Sequence, residues 1–152
     1  MARNRPPKLS DAEYRLLADF RFALRGFFAF SKKASAQAGL APQQYQALLA
    51  LRARRGREVT IGDLAEELYI RHHTGVELVD RLEKAGLMVR RSAATGRRVV
   101  LDLTPEAETV LASLADAHLA ELRRYAPAIR VLLSDQADDP ADGPNPLPTA
   151  VR

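Results

Sequence analysis

Apolar side chains recur through the first third of the chain as Leu16, Leu17, Phe20, Ala23, Leu24, Phe27, Phe28 and Phe30. That spacing is helical, and the apolar face is wider than the single stripe of a surface helix. A helix over about 10–38 is therefore predicted, buried on more than one side. Its phenylalanines suit either a subunit interface or an internal core. Ser10 caps its start, with Asp11 and Glu13 in the first turn, and Gly39 ends it. Pro42 opens a second helix, with Tyr45, Leu48, Leu49 and Arg52 marking its amphipathic pattern, closing near Gly56. Thr60 and Asp63 have the spacing of a capping box for a short third helix with apolar face Ile61, Leu64, Ala65 and Leu68. A fourth helix runs from about His72 to Ala85, burying Val76, Val79 and Leu82, and stops at Gly86. A short helix, a brief turn and an amphipathic helix form the layout of a helix-turn-helix.

The period then changes. Met88–Arg91 is a predicted strand, 93–96 a turn, and 97–103 a second strand with Val99, Leu101 and Leu103 on one face and Arg98, Val100 and Asp102 on the other. A helix-turn-helix followed by a β-hairpin with arginine at its tip is a winged helix. Thr104, Pro105 and Glu106 open a further helix past Leu111, Leu114, His118 and Leu122. Pro127 is expected to interrupt it, leaving a last short helix at Ile129–Leu133. The fold class is thus mainly α with a small β-hairpin wing.

Charge adds direction. The 152-residue chain carries 23 Lys and Arg against 19 Asp and Glu, a net +4. Residues 1–9 contribute +3, read as a flexible basic arm. Residues 134–152, rich in Pro and Asp, contribute −3 and bury too little apolar surface to order themselves. One domain over 10–133 remains. Within it Arg90, Arg91, Arg97 and Arg98 fall in nine residues without an acid. Such a cluster suits a polyanion, nucleic acid above all, and equally fits a solvated basic hairpin.

Several classes drop out. No apolar run reaches the roughly 18 residues of a membrane span, and no apolar stretch follows the basic start as in a secretory signal. The expected setting is the cytoplasm, without membrane contact. Cysteine is absent, which removes disulfides, thiolate metal sites and cysteine nucleophiles. No Gly-x-Ser-x-Gly or phosphate-cradling glycine loop occurs, so neither an enzyme nor a bound cofactor is expected. His73 and Glu77 lie one helical turn apart but supply two ligands, too few for a tight zinc site.

Leu64-Ala65-Glu66, then Val79-Asp80-Arg81-Leu82-Glu83-Lys84-Ala85-Gly86-Leu87, Gly96-Arg97-Arg98-Val99-Val100 and Leu103-Thr104-Pro105-Glu106 follow one another at fixed spacing. With Gly39–Tyr45 before them, they resemble the MarR (multiple antibiotic resistance regulator) family of transcription regulators over nearly all of 10–133. The resemblance implies a homodimer whose N- and C-terminal helices, about 10–38 and 105–133, form a dimerisation lobe. A DNA-binding lobe over about 40–104 would present each winged helix to half of a palindromic operator in double-stranded DNA. It also implies a repressor, released by a small-molecule effector bound between the dimer helices and the DNA-binding lobe. The lining expected there is Phe20, Phe27, Tyr45 and His118; an aromatic stripe or a lone histidine at these positions equally fits core packing.

A recognition helix aims its N-terminal side chains at base edges, here Arg71, His72, His73, Thr74 and Glu77. Family members often carry Arg, a small hydroxyl residue and Arg or Asn near His72, His73 and Glu77, and this chain departs at all three. Arg71 suits guanine; Glu77 either accepts from a cytosine amino group or orients Arg81 or His73. The family's wing tip commonly has Asp-x-Arg; here the arginine is Arg97 and the aspartate position is Thr95. Arg97 is expected in the minor groove, with Arg98, Arg90 and Arg91 near phosphates. The rival reading is a protein-interaction module of the same fold that has lost sequence-specific DNA binding. Because imidazolium attracts phosphate, DNA binding should be tighter at about pH 6 than at about pH 8. A His72→Gln/His73→Gln variant should lose that difference, read by fluorescence anisotropy at both pH values.

Overall fold

A computed structural model describes residues 9–94 and 96–133; the side chains of 128 and 131–133 are not described. The elements are α1 (Asp11–Gln37), α2 (Pro42–Ala53), α3 (Ile61–Glu67), α4 (His72–Lys84), β1 (Met88–Ser92), β2 (Val99–Leu103) and α5 (Pro105–Leu133). The expected basic arm lies outside the described residues except for Leu9, and the expected acidic tail lies wholly outside them. The described chain divides into two compact units, 31–118 and 9–30 with 119–133.

Local chemistry sets most boundaries. Ser10 and Glu13 form a reciprocal cap, the Ser10 N–H donating to Glu13 Oε2 at 2.6 Å and the Glu13 N–H to Ser10 Oγ at 3.2 Å. Thr60 and Asp63 repeat the device for α3 at 2.8 and 3.2 Å. The Thr60 donors, N–H first and hydroxyl second, hold the Asp63 carboxyl below its usual range. At Gly39 and Gly86 the backbone turns left-handed (φ +73° and +72°). The next N–H reaches back to Ser35 O and Leu82 O, both at 2.9 Å. Each of these turns drops a leucine, Leu40 or Leu87, into the core.

In the 31–118 unit a single core joins α2, α3, α4, the hairpin and the start of α5. Leu48, Leu64, Val79 and Leu82 are fully enclosed there. The α2 pattern differs from expectation at Leu49, which is exposed, while Ala47, Ala50 and Leu51 are buried. In α4 the inward positions are Gly75, Leu78, Val79 and Leu82, with Val76 only half-buried. The reason lies at Gly75. A Cβ there would meet Ala65 Cβ at 3.1 Å and Ile61 Cγ2 at 3.4 Å, so α3 and α4 close at a point where only glycine fits freely. The turn between them, Leu68–Arg71, places Tyr69 at φ +53°, 98% exposed.

β1 and β2 pair antiparallel, Met88 with Leu103 and Ser92 with Val99. The face assignment for β2 holds, but burial does not follow it. Val100 is fully buried and Val99 is exposed. Arg91 stands opposite Val100 and is ion-paired to Asp102, so its stem lies along the same face as Val100. Val99 faces the core side, but at the hairpin's far end.

The expected break at Pro127 does not occur, nor does a separate helix at Ile129–Leu133. α5 is continuous with Pro127 inside it. Proline removes one hydrogen-bond donor and crowds the carbonyl of Arg123. Apolar packing on both sides of it, by Leu122, Tyr125 and Ile129 around one groove with Phe20, Ala23 and Phe27, holds the helix through that loss. Within the same unit Gly26 leaves room for the Tyr125 hydroxyl, which lies 2.6 Å from where a Cβ would stand.

Gly75→Val should cost about 2 kcal/mol by overpacking the α3–α4 contact, read as a lower urea midpoint with an unchanged m-value.

Candidate nucleic-acid interface

The recognition helix differs from its neighbours at its N-terminus. Side chains of Ser10, Gln44, Thr60 and Thr104 bond the first-turn region of the other described helices. α4 begins at Arg71 with no side-chain cap and no acid in its first turn. Its leading N–H groups and positive dipole end are left for an outside anion. Arg71, His72 and His73 are exposed around that end, and Thr74 is half-buried.

One turn further on, Glu77 is exposed. Among the described residues it bonds neither Arg81 nor His73, so the structure does not show the orienting role weighed for it. Arg81 is likewise exposed and without an ion pair there. Tyr69, which the sequence reading passed over, projects fully from the turn directly before this helix. Its signal in the sequence is a bulky aromatic where a helix-turn-helix turn favours glycine.

The wing arginines fall into two groups. Arg90 is ion-paired to Glu83 and, at 2.7 Å, to Asp80, both on α4. Its backbone N–H also donates to Glu83 Oε1 at 3.0 Å. Arg90 thus ties β1 to the recognition helix instead of facing outward, and Arg91 is held by Asp102. At the tip, Arg97 is exposed and has no ion pair among the described residues. Arg98, 63% exposed, lies 3.5 Å from Glu58.

Thr95, at the family's aspartate position, lies outside the described residues. Bracing comes from elsewhere. Glu58 accepts the Ala94 N–H at 2.7 Å, the Ala93 N–H donates to Arg98 O at 2.7 Å, and Gly96 turns at φ +72°. Leu101 N–H, on the outer edge of β2, donates to Val59 O at 2.9 Å. The wing is therefore fastened on one edge to the segment before α3 and on the other to α4.

Of the four residues expected to line an effector site, two belong to each unit. Tyr45 and His118 stack within the 31–118 unit, ring centres 4.3 Å apart at 25°. His118 Nδ1–H donates to Leu114 O at 2.7 Å, and Nε2 accepts from the Ser31 hydroxyl at 2.8 Å. This is a buried, satisfied histidine, beside a Tyr45 phenol whose pKa burial pushes up. Phe20 and Phe27 line the groove of the other unit, a cavity of about 50 Å³, near the size of one or two waters. Among the described residues no three His, Asp or Glu could hold a metal ion, and no helix is long and apolar enough to cross a membrane.

A family model for MarR proteins matches residues 38–98, the segment that carries the helix-turn-helix and the wing. This segment is similar to the MarR family. Solved structures agree on the fold at low identity. A MarR family protein from Bacillus stearothermophilus is 21% identical, covering 84% of this chain and 85% of its own, with a TM-score of 0.67. AbsC, a MarR family transcriptional regulator from Streptomyces coelicolor, is 22% identical, covering 86% of each chain, TM-score 0.65. A mutant of MepR from Staphylococcus aureus bound to an oligodeoxyribonucleotide is 21% identical, covering 84% and 87%, TM-score 0.59. No curated protein matches in sequence. The fold is that of MarR-family transcription regulators.

Arg90→Ala should destabilise this MarR-type domain by about 1 kcal/mol, since the guanidinium is 28% exposed and solvent screens part of each pair. The loss should shrink in an Asp80→Asn/Glu83→Gln background, where the partners' charges are already gone; a double-mutant cycle on thermal unfolding measures it.

Proposed function

We propose that the chain is a homodimeric transcription regulator, a repressor that binds a palindromic operator in double-stranded DNA and is released by a small-molecule effector. The uncapped N-terminus of α4, ringed by Arg71, His72 and His73, carries this reading. That end offers free N–H groups and cationic side chains where a winged helix meets DNA. Arg71 and Thr74 approach base edges, Glu77 accepts from a cytosine amino group, and Arg81 meets phosphate. Arg97 enters the minor groove and Arg98 neutralises an adjacent phosphate. Arg90 and Arg91 act through the wing's shape. The likeness in fold to MepR, solved bound to an oligodeoxyribonucleotide, supports DNA as the partner.

Dimerisation rests on the apolar surface of α1 and the last part of α5. Leu17, Phe20, Leu24 and Phe28 on α1, and Leu119 and Leu122 on α5, are exposed. The burial on more than one side expected for α1 is not completed within one chain, and a second copy of the same helices would complete it. The lobes then correspond to about 40–104 for DNA and 10–38 with 105–133 for the dimer.

Titration of the chain onto its own upstream DNA and onto scrambled DNA, by fluorescence anisotropy across a salt series, tests the proposal. With about four phosphates neutralised per subunit, the log–log salt slope should be near −7. Preference for one sequence is expected. Arg97→Ala should weaken binding about tenfold and leave the dimer intact by sedimentation. A slope shallower than about −3, or no binding at low salt, would overturn the assignment in favour of an interaction module.

A further inference from the structure

A dense run of cations lies at the end of α2. Arg52, Arg54, Arg55 and Arg57 occupy six consecutive positions where α2 ends and the chain turns at Gly56 (φ +87°) toward Val59. They surround a hollow of about 260 Å³ floored by Leu101 and its neighbours and walled by Asp102 and Glu108. Arg52 is held by Glu108 at 2.8 Å and Arg54 by Glu67 at 2.6 Å. Arg55 and Arg57 have no ion pair among the described residues, and Asp102 is already engaged by Arg91. Arg55 and Arg57, both exposed, thus line the hollow without an ion pair of their own among the described residues. A bound anion would offset that charge.

We propose that this hollow is a binding site for a compact small-molecule dianion, a phosphate group or a short dicarboxylate, held by the forked donors of Arg55 and Arg57 with Arg52 at its edge. The volume admits a ligand of metabolite size and not a stretch of duplex. The hollow lies at the root of β2, while Arg57 on its rim adjoins Glu58, which pairs with Arg98 and accepts the Ala94 N–H. Asp102 and Glu108 in its wall are already paired with Arg91 and Arg52, which leaves Arg55 and Arg57 for the dianion. The proposal is independent of the DNA-binding reading, although a ligand here would rest against the strand that leads from the wing arginines.

Isothermal titration calorimetry of the full chain in low-salt, phosphate-free buffer tests it, with inorganic phosphate and succinate as probes. At least one probe should bind the wild type once per chain, with a Kd on the order of 1 mM. Arg55→Ala/Arg57→Ala should weaken this about tenfold or more, while Arg97→Ala/Arg98→Ala leaves it unchanged. Both changed pairs are exposed, and circular dichroism confirms that each variant is folded. Should the first pair fail to fold, Arg57→Gln alone is expected to weaken binding severalfold. Absence of binding by both probes up to about 20 mM overturns the site, as does equal binding by wild type and Arg55→Ala/Arg57→Ala. Loss of binding with the wing pair would also overturn it, as would a tenfold fall in DNA affinity on removing Arg55 and Arg57, which would assign these arginines to the duplex.

Discussion

The approach of α4 to α3 at Gly75 sets the geometry on which the candidate interface depends. Ala65 and Ile61 stand where a side chain on α4 would have to go, so the two helices close without a Cβ between them. That contact fixes how α4 is presented, and with it the direction of the uncapped N-terminus carrying Arg71, His72 and His73. Leu78, Val79 and Leu82 then seal the same helix onto the core. A helix-turn-helix is rigid enough to read a surface only when its second helix cannot roll on its first, and close packing at a small residue provides this.

The wing inherits its position from α4 through charge. Arg90 reaches from β1 to Asp80 and Glu83, three and six residues into the helix turns that follow Glu77. On the other edge Val59 pairs with β2, and Glu58 holds the loop at Ala94. The arginines of the hairpin therefore divide by function. Those near its root are consumed by internal carboxylates and shape the wing, while Arg97 at the tip is exposed without an ion pair among the described residues. The same division holds at the end of α2, where Glu108 and Glu67 neutralise Arg52 and Arg54 and leave Arg55 and Arg57.

Much of the architecture was legible in the sequence because its determinants are local. Ser10, Thr60 and Thr104 cap helices within three residues of themselves, Gly39 and Gly86 end them, and the change from helical to alternating period marks the hairpin. Features set by distant residues were not legible. Pro127 breaks a helix only when nothing else holds it, and the packing of Leu122, Tyr125 and Ile129 against α1 does hold it. Leu49 shares a helical stripe with buried residues yet is exposed, and Val76 is only half-buried. Val100 alternates to the face opposite Val99 and Leu101 and is still buried. In the candidate site, the position of Tyr69 in the turn was readable as an anomaly, whereas the engagement of Arg90 was not.

The sequence by itself determined the kind of molecule this is: a mainly helical chain with a helix-turn-helix, an arginine-tipped hairpin and no thiol chemistry. Those properties depend on residue type and spacing over a few turns of chain, which primary structure records directly. Only the tertiary structure decided which of the chemically identical arginines are spent and which are free, that Gly75 is a contact and not a gap, and that Tyr45 and His118 meet as a satisfied buried pair. Each depends on groups brought together across tens of residues. The free energy of a charge or an apolar surface is set by what ends up beside it, and spacing along the chain does not contain that information.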